Sequence, residues 1–151
     1  MSNMFSNCTS LTKLDLNNFN TSKVTDMNSM FFECRNLATL NISNFNTPQV
    51  TDMSYMFYNN QKLTTINVSN FNTSSVINMR NMFHNSKSTE IKGLDKIKTS
   101  NVTDMGYIFA STIATNINVS KFNTSKVTNM EYMFYNSKTT VIDVSKFDTS
   151  N

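Results

Sequence analysis

The stretches LTKLDLNNFNTSKVTDMNSMFFEC (residues 11–34) and LATLNISNFNTPQVTDMSYMFYNN (residues 37–60) are two copies of one pattern, 26 residues apart. A period of that size decides the architecture before any single residue does, because one such unit cannot bury its apolar side without a neighbour. The string M-x-x-M-F begins at Met1, Met27, Met53, Met79 and Met130, with Met105-x-x-Ile108-Phe109 as a variant, so the steps are 26, 26, 26, 26 and 25 residues. All 11 methionines fall in this motif. A second string, F-N-T or F-D-T, recurs at Phe19, Phe45, Phe71, Phe122 and Phe147, and Ile97-Lys98-Thr99 fills the remaining slot. Of the 12 phenylalanines only Phe32 stands outside the two repeat positions.

The chain has 151 residues, which suits one domain, 1–151. With 25 Asn, 19 Ser and 20 Thr against only 7 Leu, its core must come from Met and Phe more than from aliphatic residues. One His, 2 Cys and scattered carboxylates leave little from which to build a metal site or a catalytic constellation, so neither an enzyme nor a cofactor is expected. The balance of 13 basic and 10 acidic residues, without a run of like charge, argues against nucleic acid as a partner. No stretch approaches the roughly 18 apolar residues of a membrane span, so direct membrane insertion is not expected, and the first residues do not read as a signal peptide.

Each unit reads as two short elements. Leu11, Leu14 and Leu16, then Leu37, Leu40 and Ile42, then Leu63, Ile66 and Val68, alternate apolar and polar at their ends and predict a short strand, with weaker versions at Ile117/Val119 and Ile142/Val144. Met27, Met30 and Phe31 stand at i, i+3 and i+4, the spacing of one helix face, and Thr25 or Asp26 is placed to cap its first turn. The expected fold is therefore α/β: a solenoid of about six coils of 25–26 residues, with a parallel sheet on one face and short helices on the other.

These strings resemble the BspA-like leucine-rich-repeat surface proteins, in particular the branch found in mycoplasma lipoproteins, whose unit looks like L-T-x-L-D-L-S-x-F-x-T-S-x-V-T-D-M-x-x-M-F-x-x-C. The likeness covers essentially the whole chain. It implies a right-handed leucine-rich-repeat-like solenoid on a bacterial cell surface, anchored outside this segment, that serves adhesion or binds host or matrix molecules, with no catalytic residues to carry over. Two departures stand out. Residues 86–98 (SKSTEIKGLDKIK) lose the expected strand, with Thr89 and Lys92 where Leu63 and Ile66 would be. The chain starts at a consensus Met and ends inside a repeat at 147–151, which reads as a segment of a longer protein; open ends also allow end-to-end self-association.

Three rows are candidate surfaces. On the strand side Asp15, Asn41, Asn67, Gly93, Asn118 and Asp143 fall in one register, and this row of amides and carboxylates suits a polar peptide or glycan, or else a ladder that bonds to itself. On the other side the second and fifth positions after the first Met read Ser29/Phe32, Tyr55/Tyr58, Asn81/His84, Tyr107/Ala110 and Tyr132/Tyr135 and hold all 5 tyrosines. Exposed tyrosines favour interfaces, although rings packing across neighbouring coils would give the same pattern. A third row, Asn18, Asn44, Asn70, Lys96, Lys121 and Lys146, places lysines on one edge of the later coils, where an anionic polymer or plain solvent would suit them. Cys8 and Cys34, one period apart, are compatible with a disulfide or with two free thiols.

The functional expectation is a non-catalytic binding or adhesion module that recognises a host or matrix protein or glycan by avidity over a repeated surface. The competing expectation is a structural spacer that holds another domain away from the cell.

Overall fold

The structure, a computed structural model, describes residues 1–151. Equivalent residues of successive units lie side by side, as the period requires, but the elements differ from the expected ones. Regular strand is confined to β1 (Lys13–Asp15), β2 (Thr39–Asn41), β3 (Thr65–Asn67) and β4 (Glu90–Lys92). They form two separate two-stranded parallel sheets, β1 with β2 and β3 with β4. The Ile117 and Ile142 segments share a single parallel bridge, Asn116 to Val141. There is no α-helix; the sole helical turn is a 3-10 turn at Leu94–Lys96, away from every M-x-x-M-F string. The expected α/β, leucine-rich-repeat-like solenoid with one parallel sheet and a helical face is thereby overturned.

The reason lies in where the backbone N–H groups go. After each first Met the chain makes tight turns: Met30 N–H donates to the Met27 carbonyl (3.2 Å) and Phe32 N–H to the Ser29 carbonyl (3.1 Å). The alternate donors leave the unit: Met27, Ser29, Phe31 and Glu33 donate to the carbonyls of Asp52, Ser54, Met56 and Tyr58 at 2.9 to 3.0 Å. A helix would direct every one of these N–H groups back to residue i−4. Here two residues per unit take positive φ, Ser29 (54°) and Glu33 (59°) in the second, which aims consecutive amides in different directions and forbids a helix. Met27, Met30 and Phe31 are still fully buried, since a run of turns brings the same residues inward as a helix would.

This backbone accounts for the composition. Asn tolerates the left-handed region better than other non-glycine residues, and 6 of the 12 non-glycine positive-φ positions are Asn. Asn and Asp also close turns by accepting the N–H two residues on, as Asp26 does from Asn28 (2.7 Å) and Asp52 from Ser54 (2.7 Å). Asp26 therefore shapes a turn instead of capping a helix. Along the same line Asp26, Asp52, Asn78, Asp104 and Asn129 make an unbroken series of parallel bridges.

Two ladders run through the interior. Phe5, Phe31, Phe57, Phe83, Phe109 and Phe134 stack ring on ring at centroid distances of 5.6 to 5.9 Å. The threonines of the F-N-T strings form the second. Thr21, Thr47, Thr73, Thr99 and Thr124 are buried, and each hydroxyl donates to a carbonyl of the next unit and accepts that same residue's N–H.

Residues 86–98 keep their strand, against expectation. The pairing steps by 25 residues here, so Ile91 lies against Ile66 and Lys92 against Asn67. Ser88 takes the place of Leu63 in this register and donates its hydroxyl to the Leu63 carbonyl. Gly93 then absorbs one extra residue at φ 88°, where a Cβ would stand 2.5 Å from the Ser69 Cα. Gly93→Ala is expected to destabilise the chain by about 1–3 kcal/mol through backbone strain, with the contact adding to it; a urea midpoint unchanged from wild type would contradict this reading.

Candidate functional site

The outward residues of the M-x-x-M-F turns form a continuous aromatic ridge. Phe32 stacks on Tyr58 with centroids 4.9 Å apart and meets Tyr55 edge-on at 6.2 Å. Tyr55 lies 5.8 Å from Tyr58, which meets His84 edge-on at 5.1 Å. His84 stacks on Tyr107 at 5.7 Å, Tyr107 on Tyr132 at 4.9 Å, and Tyr132 meets Tyr135 edge-on at 5.5 Å. All five expected tyrosines thus belong to one surface. Phe32 and His84 join them and fill what would otherwise be breaks.

The backbone beneath the ridge is unusual for its residues. Tyr55, Tyr107 and Tyr132 have φ of 57°, 58° and 52°, at a position that Ser29 and Asn81 occupy in sister units. A left-handed conformation disfavours a Cβ-bearing residue by about 1–2 kcal/mol. A large ring is held there three times despite that preference. The rings become more open along the chain, from half-buried Tyr55 and Tyr58 to Tyr132 and Tyr135, which are 56% and 60% exposed.

One cation sits on the ridge. The Arg80 guanidinium lies 5.3 Å from the Tyr107 ring centre, pairs with Asp104 at 3.5 Å, and hydrogen-bonds Glu131 two units away. Gly106 leaves room for this reach, since a Cβ there would come within 2.7 Å of Arg80 Nη1. The bond to Glu131 holds the guanidinium pKa above its usual value, so Arg80 stays charged. Burial lowers the His84 pKa from its ordinary range, and its Nδ1 lies in hydrogen-bond contact with Asn81 Oδ1. Burial pushes the Tyr107 pKa up, with Glu131 acting in the same direction. The phenol therefore stays protonated.

The strand-side row is a different object from the one expected. Asp15, Asn41, Asn67, Asn118 and Asp143 each accept the N–H two residues on, from Asn17, Ser43, Ser69, Ser120 and Ser145 at 2.9 to 3.2 Å. Their first task is to close a turn, and the bonds from Ser145 hold the Asp143 carboxyl below its ordinary range. Lys92, not Gly93, occupies the fourth place of the row. Nor is the surface continuous, because no ladder joins β2 to β3 or β4 to the Asn116 segment. A recess of about 70 Å³ opens at the first break beside Asn41 and Asn67, and one of about 290 Å³ at the second, lined by Glu90, Asp95, Asn116 and Asn118 among others. In the third row Asn44 and Asn70 donate to carbonyls of the preceding unit, while Lys96, Lys121 and Lys146 are exposed.

Cys8 and Cys34 are free thiols. Cys34 donates to the Phe5 carbonyl at 3.0 Å, and burial pushes its pKa up to about 11. Asn60 makes the equivalent bond to the Phe31 carbonyl at 3.0 Å, so in these two units the slot holds a buried donor.

The family model for "Mycoplasma protein of unknown function, DUF285" matches residues 1–93 and again 66–151, which together span the chain. The chain belongs to this family. No curated protein and no solved structure matches it. Membership in DUF285 is consistent with a bacterial repeat protein and supplies no activity. No helix is long and apolar enough to cross a membrane.

Proposed function

We propose that the chain is a non-catalytic binding module of a BspA-like bacterial surface protein and that it engages a host or matrix protein through its aromatic ridge. The observation that carries this reading is the unbroken run of seven rings from Phe32 to Tyr135. Interior packing does not require it, because the Phe5 to Phe134 column already fills the core beneath. Tyrosine brings large contact area with little side-chain entropy to lose, and Arg80 adds a fixed charge within the same surface. Modest contacts at each unit sum along the array into useful affinity.

A protein suits this surface better than a glycan. Within the ridge Phe32 and Tyr58, His84 and Tyr107, and Tyr107 and Tyr132 cover one another's faces, which leaves less open ring face for a sugar. Sugar rings dock on aromatic faces. The test is binding of the purified chain to immobilised extracellular-matrix proteins and, in parallel, to a glycan array. Saturable binding to a matrix protein with none to the glycans is the expected result. A folded chain that binds nothing on either panel would overturn the proposal in favour of a spacer.

A further inference from the structure

We propose that the aromatic ridge takes an arginine or lysine side chain of its protein partner at Asp52 and Tyr55, with Asp26 beside them; this deepens, and rests on, the binding role proposed above. The chain itself shows how such a site works. Between the fourth and fifth units the Arg80 guanidinium lies 5.3 Å from the Tyr107 ring centre and pairs with Asp104 at 3.5 Å. Asp52 and Tyr55 are the same pair two repeats earlier. Their backbone matches: Tyr55 and Tyr107 have φ of 57° and 58°, and Asp52 and Asp104 accept the N–H two residues on at 2.7 and 2.8 Å. In the place of Arg80 stands Asn28, whose amide is committed to the carbonyl and hydroxyl of Ser54. The third unit therefore repeats the ring and the carboxylate without the cation.

Charge is segregated in the same sense. The ridge-bearing turns of the interior units, 26–33, 52–59, 78–85 and 104–111, carry four carboxylates, Asp26, Glu33, Asp52 and Asp104, and one cation, Arg80. The rest of the chain holds twelve basic and six acidic residues, so an acidic ridge belongs to a chain of net charge +3. Glu33 is paired by Arg35 and Asp104 by Arg80, whereas no cation of the chain pairs with Asp26 or Asp52. These two share a parallel bridge, and like charges facing each other across a ladder destabilise it. Nor does the turn need their charge. Asn78 and Asn129 accept the N–H two residues on at 3.0 Å from the same position, as Asp26 and Asp52 do at 2.7 Å. Carboxylates that repel each other and are replaceable in their structural task suit a cation supplied from outside. Arg80 also approaches the Tyr55 hydroxyl, but Asp104 and Glu131 already match its charge. An incoming guanidinium or ammonium gains ring and carboxylates together.

The experiment titrates an end-capped octa-arginine peptide, with end-capped octa-glutamine as control, into the 151-residue chain and follows the amide NMR signals. Attraction of a polycation to a chain of net charge +3 has to come from a local acidic surface. Saturable shifts centred on residues 26–33 and 52–59 are expected with octa-arginine and none with octa-glutamine. A variant carrying Asp26→Asn and Asp52→Asn, its fold checked by thermal melting, is expected to bind about tenfold more weakly. Absence of octa-arginine binding, shifts centred on another surface, or affinity unchanged in the double variant would overturn the inference. If a matrix protein is nonetheless captured, the ridge reading survives that failure. Peptide binding as expected, with silence on the matrix panel, would instead keep the cation site and overturn the ridge reading.

Discussion

Met56→Asp is expected to abolish the cooperative melting transition of the chain. Met56 is fully buried in the middle of the array, between the equivalent residues Met30 and Met82, and its carbonyl accepts the Phe31 N–H at 3.0 Å. A carboxylate there would have no cation to pair with, and an unpaired buried charge costs several kcal/mol. Net stabilities of single domains are about 5–15 kcal/mol, so this one loss consumes much or all of it. Met56→Leu is the control: the volume is conserved, and the expected change stays below about 1.5 kcal/mol. Far-UV circular dichroism with thermal melting reads both variants. An Asp variant that melted like wild type would contradict the stacked core.

Thr73→Val is expected to destabilise strongly although the two side chains have nearly the same shape. The Thr73 hydroxyl donates to the Lys98 carbonyl at 2.9 Å and accepts the Lys98 N–H at 2.7 Å, with Thr73 only 1% exposed. Valine fills the space and satisfies neither group, and each unsatisfied buried group costs about 1–3 kcal/mol. Serine keeps both bonds and loses one methyl, so Thr73→Ser should fall well short of the valine variant. Urea unfolding separates the three. Equal midpoints for Val and wild type, or for Val and Ser, would show that the hydroxyl clasp contributes little.

The period, the identity of the inward residues and the grouping of the tyrosines were legible in the sequence, because all three follow from spacing alone. Met27, Met30 and Phe31 point inward whether the backbone between them is a helix or a run of turns. That ambiguity is why the helical expectation failed: the spacing i, i+3, i+4 reports which side chains share a face and not where the N–H groups go. The signal that favours turns was present in the Asn content. Asn3, Asn7, Asn59, Asn81, Asn85 and Asn136 occupy left-handed positions, and a helix face would gain nothing from them.

Strand pairing was overread for a related reason. The sequence supplies an apolar alternation in most units, but only three residues per strand pair, and the ladder breaks after every second unit where recesses open. The segment 86–98 was misaligned by one residue, since Ser88 can replace a leucine only by bonding the Leu63 carbonyl, which spacing does not reveal. The F-N-T threonine was visible as a repeat but not as a clasp. A buried hydroxyl that bonds the next unit's backbone is a tertiary contact, and a single sequence carries no sign of it. On the ridge, the row was legible with Phe32 and His84 among its positions, but Arg80 was not, because it reaches its partner Glu131 across 51 residues.

The binding role of the ridge is tested most directly by the dissociation constant of the chain for a matrix protein it captures, measured with wild type and with a Tyr55→Ser, Tyr58→Ser, Tyr132→Ser, Tyr135→Ser variant whose melting curve confirms that it is folded. Losing several interface rings at more than about 1 kcal/mol each predicts that affinity falls by at least about a hundredfold. An unchanged dissociation constant in the folded variant would contradict the assignment of the ridge as the binding surface.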